Sequence, residues 1–111
     1  MEYYLDYNGY EKYLITRYTR WDMDGVGYIF KFDNNYGASV VKNRYSYGGR
    51  YDKWEVAVLY FTGEEAEPGS LCDEDYELDY DTPITNDVLG WLDDSEVRVI
   101  LRRIQLLHSK K

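Results

Sequence analysis

The chain has 111 residues, three Trp, fourteen Tyr, a single Cys and a net charge of −8 at pH 7. Its length fits one domain spanning residues 1–111, and its aromatic content excludes a chain too poor in buryable surface to fold. Lone Cys72 excludes an internal disulfide and suits a reducing cytoplasm, while the negative charge opposes ordinary binding to DNA, RNA or anionic lipid.

The first sixty residues have the marks of an antiparallel meander. Asn8-Gly9 lies between residues 3–7 and 10–20, and such a pair suits a type I′ turn, which needs positive φ twice. Asp24-Gly25 separates 17–23 from 26–32 in the same way, and Gly48-Gly49 separates 40–47 from 51–61. Asn34-Asn35-Tyr36-Gly37 supplies the turn between 26–33 and 38–43. Alternation puts Val26, Tyr28, Phe30 and Phe32 on one face and Gly27, Ile29, Lys31 and Asp33 on the other. The run Val56-Ala57-Val58-Leu59-Tyr60-Phe61 is apolar on both faces, as a central or covered strand should be. About five strands are expected.

Near the C-terminus the period changes. Val97, Ile100, Leu101, Ile104 and Leu107 fall on one stripe of a helix over 97–107, capped by Asp93 or Asp94, with Glu96 near its positive end and Arg102 and Arg103 near its negative end. Val99 and Leu106 lie opposite that stripe, either under loops or Tyr side chains or as a small partner or dimer contact. Just upstream, Thr85-Asn86-Asp87 can cap a short turn over 88–92, with Pro83 at the boundary. The fold class expected is α+β: a curved antiparallel β-meander with a C-terminal helix packed on one face. No apolar run reaches the length of about 18 residues that suggests a membrane helix, and Met1-Glu2-Tyr3-Tyr4 lacks the order of a signal peptide.

Charge is distributed unevenly. Residues 1–55 carry eight acids and eight bases, whereas residues 56–111 carry thirteen acids and five bases, which gives the whole −8. All thirteen acids fall between Glu64 and Glu96, a stretch without Lys or Arg. The chain is thus a neutral Tyr-rich block, an acidic block and a basic amphipathic tail.

Few residues suit catalysis, and a non-enzymatic protein without cofactor is expected. Acidic neighbours suppress the Cys72 thiolate, His108 stands near the C-terminus, and one Cys with one His cannot build a zinc site. Nucleophile-elbow, phosphate-loop and dinucleotide motifs are missing. A glycosidase-like carboxylate pair needs a cleft that this small chain does not suggest. Asp73, Asp75, Glu77 and Asp79 echo the first four alternate positions of a calcium loop, but Leu78 replaces its Gly and Ile84 its final Glu, leaving weak cation binding at most.

A second pattern overlies the same residues. In an extended conformation Asp73, Asp75, Glu77, Asp79 and Asp81 project to one face, about 6.6–6.8 Å apart, with Tyr76, Leu78 and Tyr80 anchoring the other. A row at that spacing can occupy a Lys/Arg groove built for phosphates. Glu64, Glu65 and Glu67 extend it as candidate partner-binding residues. The alternative is a solvated edge strand whose charges block aggregation, although interspersed signs would serve stability better. Sheet packing accounts for most Tyr side chains, and Tyr10, Tyr45, Tyr47 and Tyr51 at hairpin tips are candidates for exposed recognition, with Arg44, Arg50, Lys53 and Trp54 nearby.

The runs Phe32-Asp33-Asn34-Asn35-Tyr36-Gly37-Ala38-Ser39-Val40-Val41, Tyr47-Gly48-Gly49, Trp54-Glu55-Val56-Ala57-Val58-Leu59 and Tyr80-Asp81-Thr82-Pro83-Ile84-Thr85-Asn86-Asp87-Val88 resemble small acidic accessory proteins encoded by phages and prophages. That resemblance implies a mobile-element origin in a bacterial cell and a host-takeover or anti-defence role, of the anti-CRISPR or anti-restriction type. The expected function is inhibition of a basic, nucleic-acid-handling protein through a DNA-mimicking acidic segment, with no direct contact to nucleic acid or membrane. A structural phage protein with a merely solvating acidic face is the alternative.

Overall fold

A computed structural model describes residues 3–62, 76–85 and 87–109. These form six antiparallel strands: β1 (Leu14–Arg20), β2 (Gly25–Lys31), β3 (Tyr36–Lys42), β4 (Trp54–Phe61), β5 (Tyr76–Leu78) and β6 (Leu89–Leu92), followed by helix α1 (Asp94–Gln105). The sheet runs β1-β2-β3-β4-β5, and β6 also pairs with β4. β5 pairs with Leu59–Phe61, whereas β6 pairs opposite Trp54 and Val56, so the two short strands share one side of β4. The α+β meander with a C-terminal helix is therefore the architecture of the chain.

Alternation in β2 divides the faces as expected. Val26, Tyr28, Phe30 and Phe32 join Ala38, Val40, Trp54, Val56, Val58 and Tyr60 in the main core, beneath Val97, Ile100, Leu101 and Ile104 of α1. Burying each such helix side chain contributes about 1.5–3 kcal/mol. Ile29, Leu59 and Phe61 form a smaller cluster on the opposite face, with Ile15, Tyr18 and Tyr76 against it.

The helix is capped by Asp93, which accepts the Glu96 N–H at 2.8 Å while the Glu96 carboxylate accepts the Asp93 N–H at 3.2 Å. This reciprocal pair satisfies two backbone donors at the helix start. Asp94 acts elsewhere, its carboxylate accepting the indole N–H of buried Trp54 (2.8 Å) and the Asp6 N–H (2.9 Å). Val99 and Leu106 are exposed on the outer face of α1.

Four local expectations need correction. Residues 3–7 are not a strand, although Gly9 does adopt positive φ in the turn that follows. Side chains take their backbone groups instead: Leu5 N–H donates to the Tyr28 hydroxyl, and the Tyr3 carbonyl accepts from Tyr28 and Arg17. Leu5 is thereby drawn into the core. At Asp24-Gly25 the connection begins earlier, with a short 3-10 turn over Trp21–Met23, and only Asp24 has positive φ (48°). Gly25 serves close packing, since a Cβ there would lie 2.3 Å from the Asn43 Cβ.

The β3–β4 connection is a broad loop over 43–53 rather than a two-residue turn at Gly48-Gly49. The Asn43 carboxamide oxygen accepts from Tyr45 N–H and Ser46 N–H, capturing donors that would otherwise extend β3. Finally, residues 89–92 form β6 instead of belonging to a helical turn. The unoccupied side of β4 gives them a ladder, which local propensity alone does not disclose.

Candidate partner-binding surface

The acidic row is only partly an exposed face. Glu77 lies opposite Tyr60 in β5 and is exposed, as is Asp81. Asp79 is not: it is 6% exposed, its N–H donates to the Val58 carbonyl, and its carboxylate accepts the Asp81 N–H. The Asp79 N–H bond continues the β5 register by one residue, so Glu77 and Asp79 lie opposite Tyr60 and Val58 on the helix-covered side of the sheet, and the turn from Asp79 to Asp81 ends the extended row before Asp81. The anchoring set is corrected too. Tyr76 packs on Phe61 at 5.4 Å between ring centroids, whereas Leu78 is 50% exposed and Tyr80 is also exposed. Glu64, Glu65, Glu67, Asp73 and Asp75 lie outside the described residues.

Ion pairing separates the acids of the two blocks. The three salt bridges among the described residues are Arg20–Asp22 (3.0 Å), Lys42–Asp52 (3.8 Å) and Arg98–Asp6 (3.1 Å), so each takes its acid from residues 1–55. Exposed Glu77, Asp81 and Asp87 have no such partner among the described residues. Arg20 holds the Asp22 carboxyl below its ordinary range by hydrogen bonding to it. At the helix start, the Glu96 N–H does the same to Asp93, aided by the Ser95 hydroxyl.

Beside this edge stands a group of exposed aromatics. Tyr45, Tyr47 and Tyr51 on the 43–53 loop are exposed, and Trp91 of β6 stacks on Tyr51 with centroids 5.4 Å apart. Tyr10 departs from the expected set. It is half-buried, packed edge-on against Phe32 at 6.4 Å. Trp91 has φ of +60°, a left-handed conformation rare for a bulky side chain. Its backbone is fixed on both sides: Trp91 N–H donates to the Tyr47 carbonyl at 3.1 Å, and a Cβ on Gly48 would come 3.0 Å from the Trp91 Cα. The loop and β6 therefore hold the indole outward as one rigid unit.

Sequence reasoning missed Trp91 and Trp21 as exposed groups, because Trp in a strand-rich chain is ordinarily a core residue. The available signal was position: each Trp abuts a turn residue or glycine, namely Trp21 before Asp22 and Trp91 after Gly90. Cys72 lies outside the described residues, and His108 is exposed beyond the helix. Among the described residues no three His, Cys, Asp or Glu side chains converge as metal ligands, and no helix is long and apolar enough to cross a membrane. No family model, no curated protein and no solved structure matches the chain.

Proposed function

We propose that the chain is a non-enzymatic inhibitor that binds a basic, nucleic-acid-handling protein in a bacterial cytoplasm, in the manner of phage-encoded anti-defence factors. The observation that carries this reading is the exposed negative charge along the β5–β6 side of the sheet. Glu77, Asp81 and Asp87 are exposed and form no salt bridge among the described residues, in a stretch whose sequence contains no Lys or Arg from Glu64 to Glu96. Such a field steers a basic partner and speeds encounter. Trp91 and Tyr51 supply the complementary feature, a rigid aromatic anchor of the kind that dominates interface energies. Asp79 is removed from the contact set because its carboxylate is used within the fold.

The test is affinity capture on the immobilised chain from bacterial lysate, comparing wild type with a variant carrying Asn or Gln at Asp73, Asp75, Glu77 and Asp81. Proteins retained by wild type should be displaced by duplex DNA, be lost with rising salt, and be retained at least tenfold less by the variant. Replacing Asp33, an exposed acid of the neutral block, should leave capture unchanged. Retention indifferent to salt, DNA and the fourfold replacement would reject the reading in favour of a solvating acidic face on a structural phage protein.

A further inference from the structure

The β1 edge of the sheet carries a cleft unrelated to the acidic block. Its volume is about 300 Å³, and its lining includes Tyr3, Tyr4, Arg17, Thr19, Trp21 and Asp24. That is the lower end of the size range of small-molecule sites.

Arg17 is the central feature. Its Nε donates to the Tyr28 hydroxyl at 3.0 Å and one terminal nitrogen donates to the Tyr3 carbonyl at 3.3 Å. The guanidinium carbon lies 5.0 Å from the Tyr4 ring centroid and 5.5 Å from that of Tyr28. Guanidinium has five N–H donors, so two hydrogen bonds and two ring faces fix its direction and leave donors over. No carboxylate pairs with it among the described residues, whereas neighbouring Arg20 is neutralised by Asp22. A fixed guanidinium with no carboxylate partner among the described residues suits the planar fork of a carboxylate or phosphate.

Trp21 is the second feature. It is 95% exposed, in a residue type that is highly buried on average. It stands in the short turn ahead of Asp24, whose carboxylate accepts the Tyr3 hydroxyl and so ties the N-terminal segment to the far wall of the cleft. An open indole beside an oriented guanidinium offers stacking and anion recognition within one cleft.

The chain's overall charge does not defeat anion binding here. β1 and β5 are at opposite sides of the sheet, four inter-strand spacings or about 19 Å apart. Physiological salt screens exposed charges over about 8 Å. The residues around the cleft belong to the block whose net charge is zero.

We propose that this cleft binds a small planar aromatic group carrying an oxyanion, of the size of a nucleoside monophosphate, with the ring on Trp21 and the oxyanion on Arg17. Phosphate and carboxylate share this chemistry, so the probes separate them: AMP and UMP for the first, indole-3-acetate for the second, with adenosine and inorganic phosphate as half-ligands.

The three Trp indole N–H signals in a nitrogen–proton NMR spectrum provide the readout. Addition of AMP, UMP or indole-3-acetate to about 1 mM should shift the Trp21 signal and leave Trp91 unmoved, with each half-ligand shifting it far less. Nucleotide response alone assigns the site to phosphates, and response to all three confirms the shared chemistry. Trp21→Ala, at an exposed position, should weaken binding roughly tenfold, read from backbone signals of Thr19 and Gly25. Arg17→Gln should weaken it at least as much, but it also removes bonds that hold residues 3–5. Thr19→Glu therefore serves as the second variant, since it leaves those bonds intact and brings a competing carboxylate to Arg17. Absence of any Trp21 shift with all three probes, or undiminished binding by folded Thr19→Glu, overturns the proposal.

Discussion

The side-chain amide nitrogen of Asn34 lies 2.8 Å from the Leu107 carbonyl oxygen, and it also reaches the carbonyls of Ile104 (3.0 Å) and Gln105 (3.2 Å). On its other side, the Asn34 carboxamide oxygen accepts the Tyr36 N–H at 3.0 Å. One side chain in the β2–β3 turn thus closes the end of α1, adding a donor to the last carbonyls of the helix, of which that of Ile104 also accepts the Leu107 N–H. A helix that buries one stripe still requires its axis to be fixed over the sheet, and this contact fixes its C-terminal end.

Replacing Asn34 by Ala should cost about 1–3 kcal/mol, the usual penalty for leaving partly buried polar groups unsatisfied. Asn34→Asp should cost at least as much despite its similar shape. A carboxylate cannot donate, and it would meet the negative end of the helix dipole. Urea unfolding midpoints of the two variants test this, and an Asn34→Asp protein as stable as wild type would show that the amide donors do not hold the helix.

Lys42 provides a second internal contact whose replacement has a definite order of effects. It is only 2% exposed, with its ammonium 4.2 Å from the Trp54 ring centroid and 3.8 Å from the Asp52 carboxylate. Lys42→Ala removes the aliphatic stem as well as the cation and should destabilise by about 2–4 kcal/mol, by analogy with other large-to-small core changes. Lys42→Met keeps most of the volume and removes the need to desolvate a charge, so its cost should stay below about 1.5 kcal/mol. Denaturant melts of both proteins decide the matter. Equal losses would mean that the charge, not the stem, is what the core uses.

Acid sensitivity should arise partly at Asp93. Hydrogen bonds from Glu96 N–H and Ser95 lower its folded pKa below the ordinary value of 3.8. The unfolded chain therefore binds more protons in the window between the folded and unfolded pKa values. The stabilisation is fully present above the unfolded pKa and is lost as pH falls through the folded one. Asp22 and Glu11 are lowered as well and add to the same acid limb. Asp93→Ser keeps an N-cap acceptor without the titration, so Tm plotted from pH 6 to pH 3 should fall less steeply than in wild type. An unchanged slope would show that Asp93 contributes nothing to the acid limb.

The main lines of this fold are legible in local pattern. Alternation along 26–32 places Tyr28 and Phe30 under the helix, and the Val97–Ile104 spacing identifies the stripe that covers them. Asp93 and Glu96 have the spacing of a reciprocal cap, and the structure selects Asp93 over Asp94 because Asp94 is engaged by Trp54 and Asp6. What local pattern misses is decided by distant partners. Residues 3–7 have strand-like Tyr content, yet Tyr28 and Asp94 take their N–H groups. Asp79 belongs to a regular acidic alternation in sequence, but its register opposite Val58 puts that face on the core side of the sheet. The Arg17 cleft requires the N-terminal segment to meet β1 and the 21–24 turn, a juxtaposition with no motif of its own.

The conformation of Trp91 separates stability from recognition. Its φ of +60° carries a cost of about 1–2 kcal/mol for a residue with a Cβ. Stacking on Tyr51 offsets a similar amount, about 0.5–1.5 kcal/mol. Trp91→Asn should therefore leave stability within about 1 kcal/mol of wild type, because Asn tolerates the left-handed region. Trp91→Ala keeps the backbone cost, loses the stack, and should be the less stable of the two in urea melts. If both variants match wild type, the left-handed backbone is not strained. If Asn is tolerated as expected, the indole is not required for folding, and the same variant then tests the aromatic anchor directly. On the proposed function it should weaken capture of the proposed basic partner by at least tenfold, as loss of a central interface Trp does, while duplex DNA still displaces whatever remains bound. Undiminished capture would confine the contact to the acidic residues and remove Trp91 from the interface.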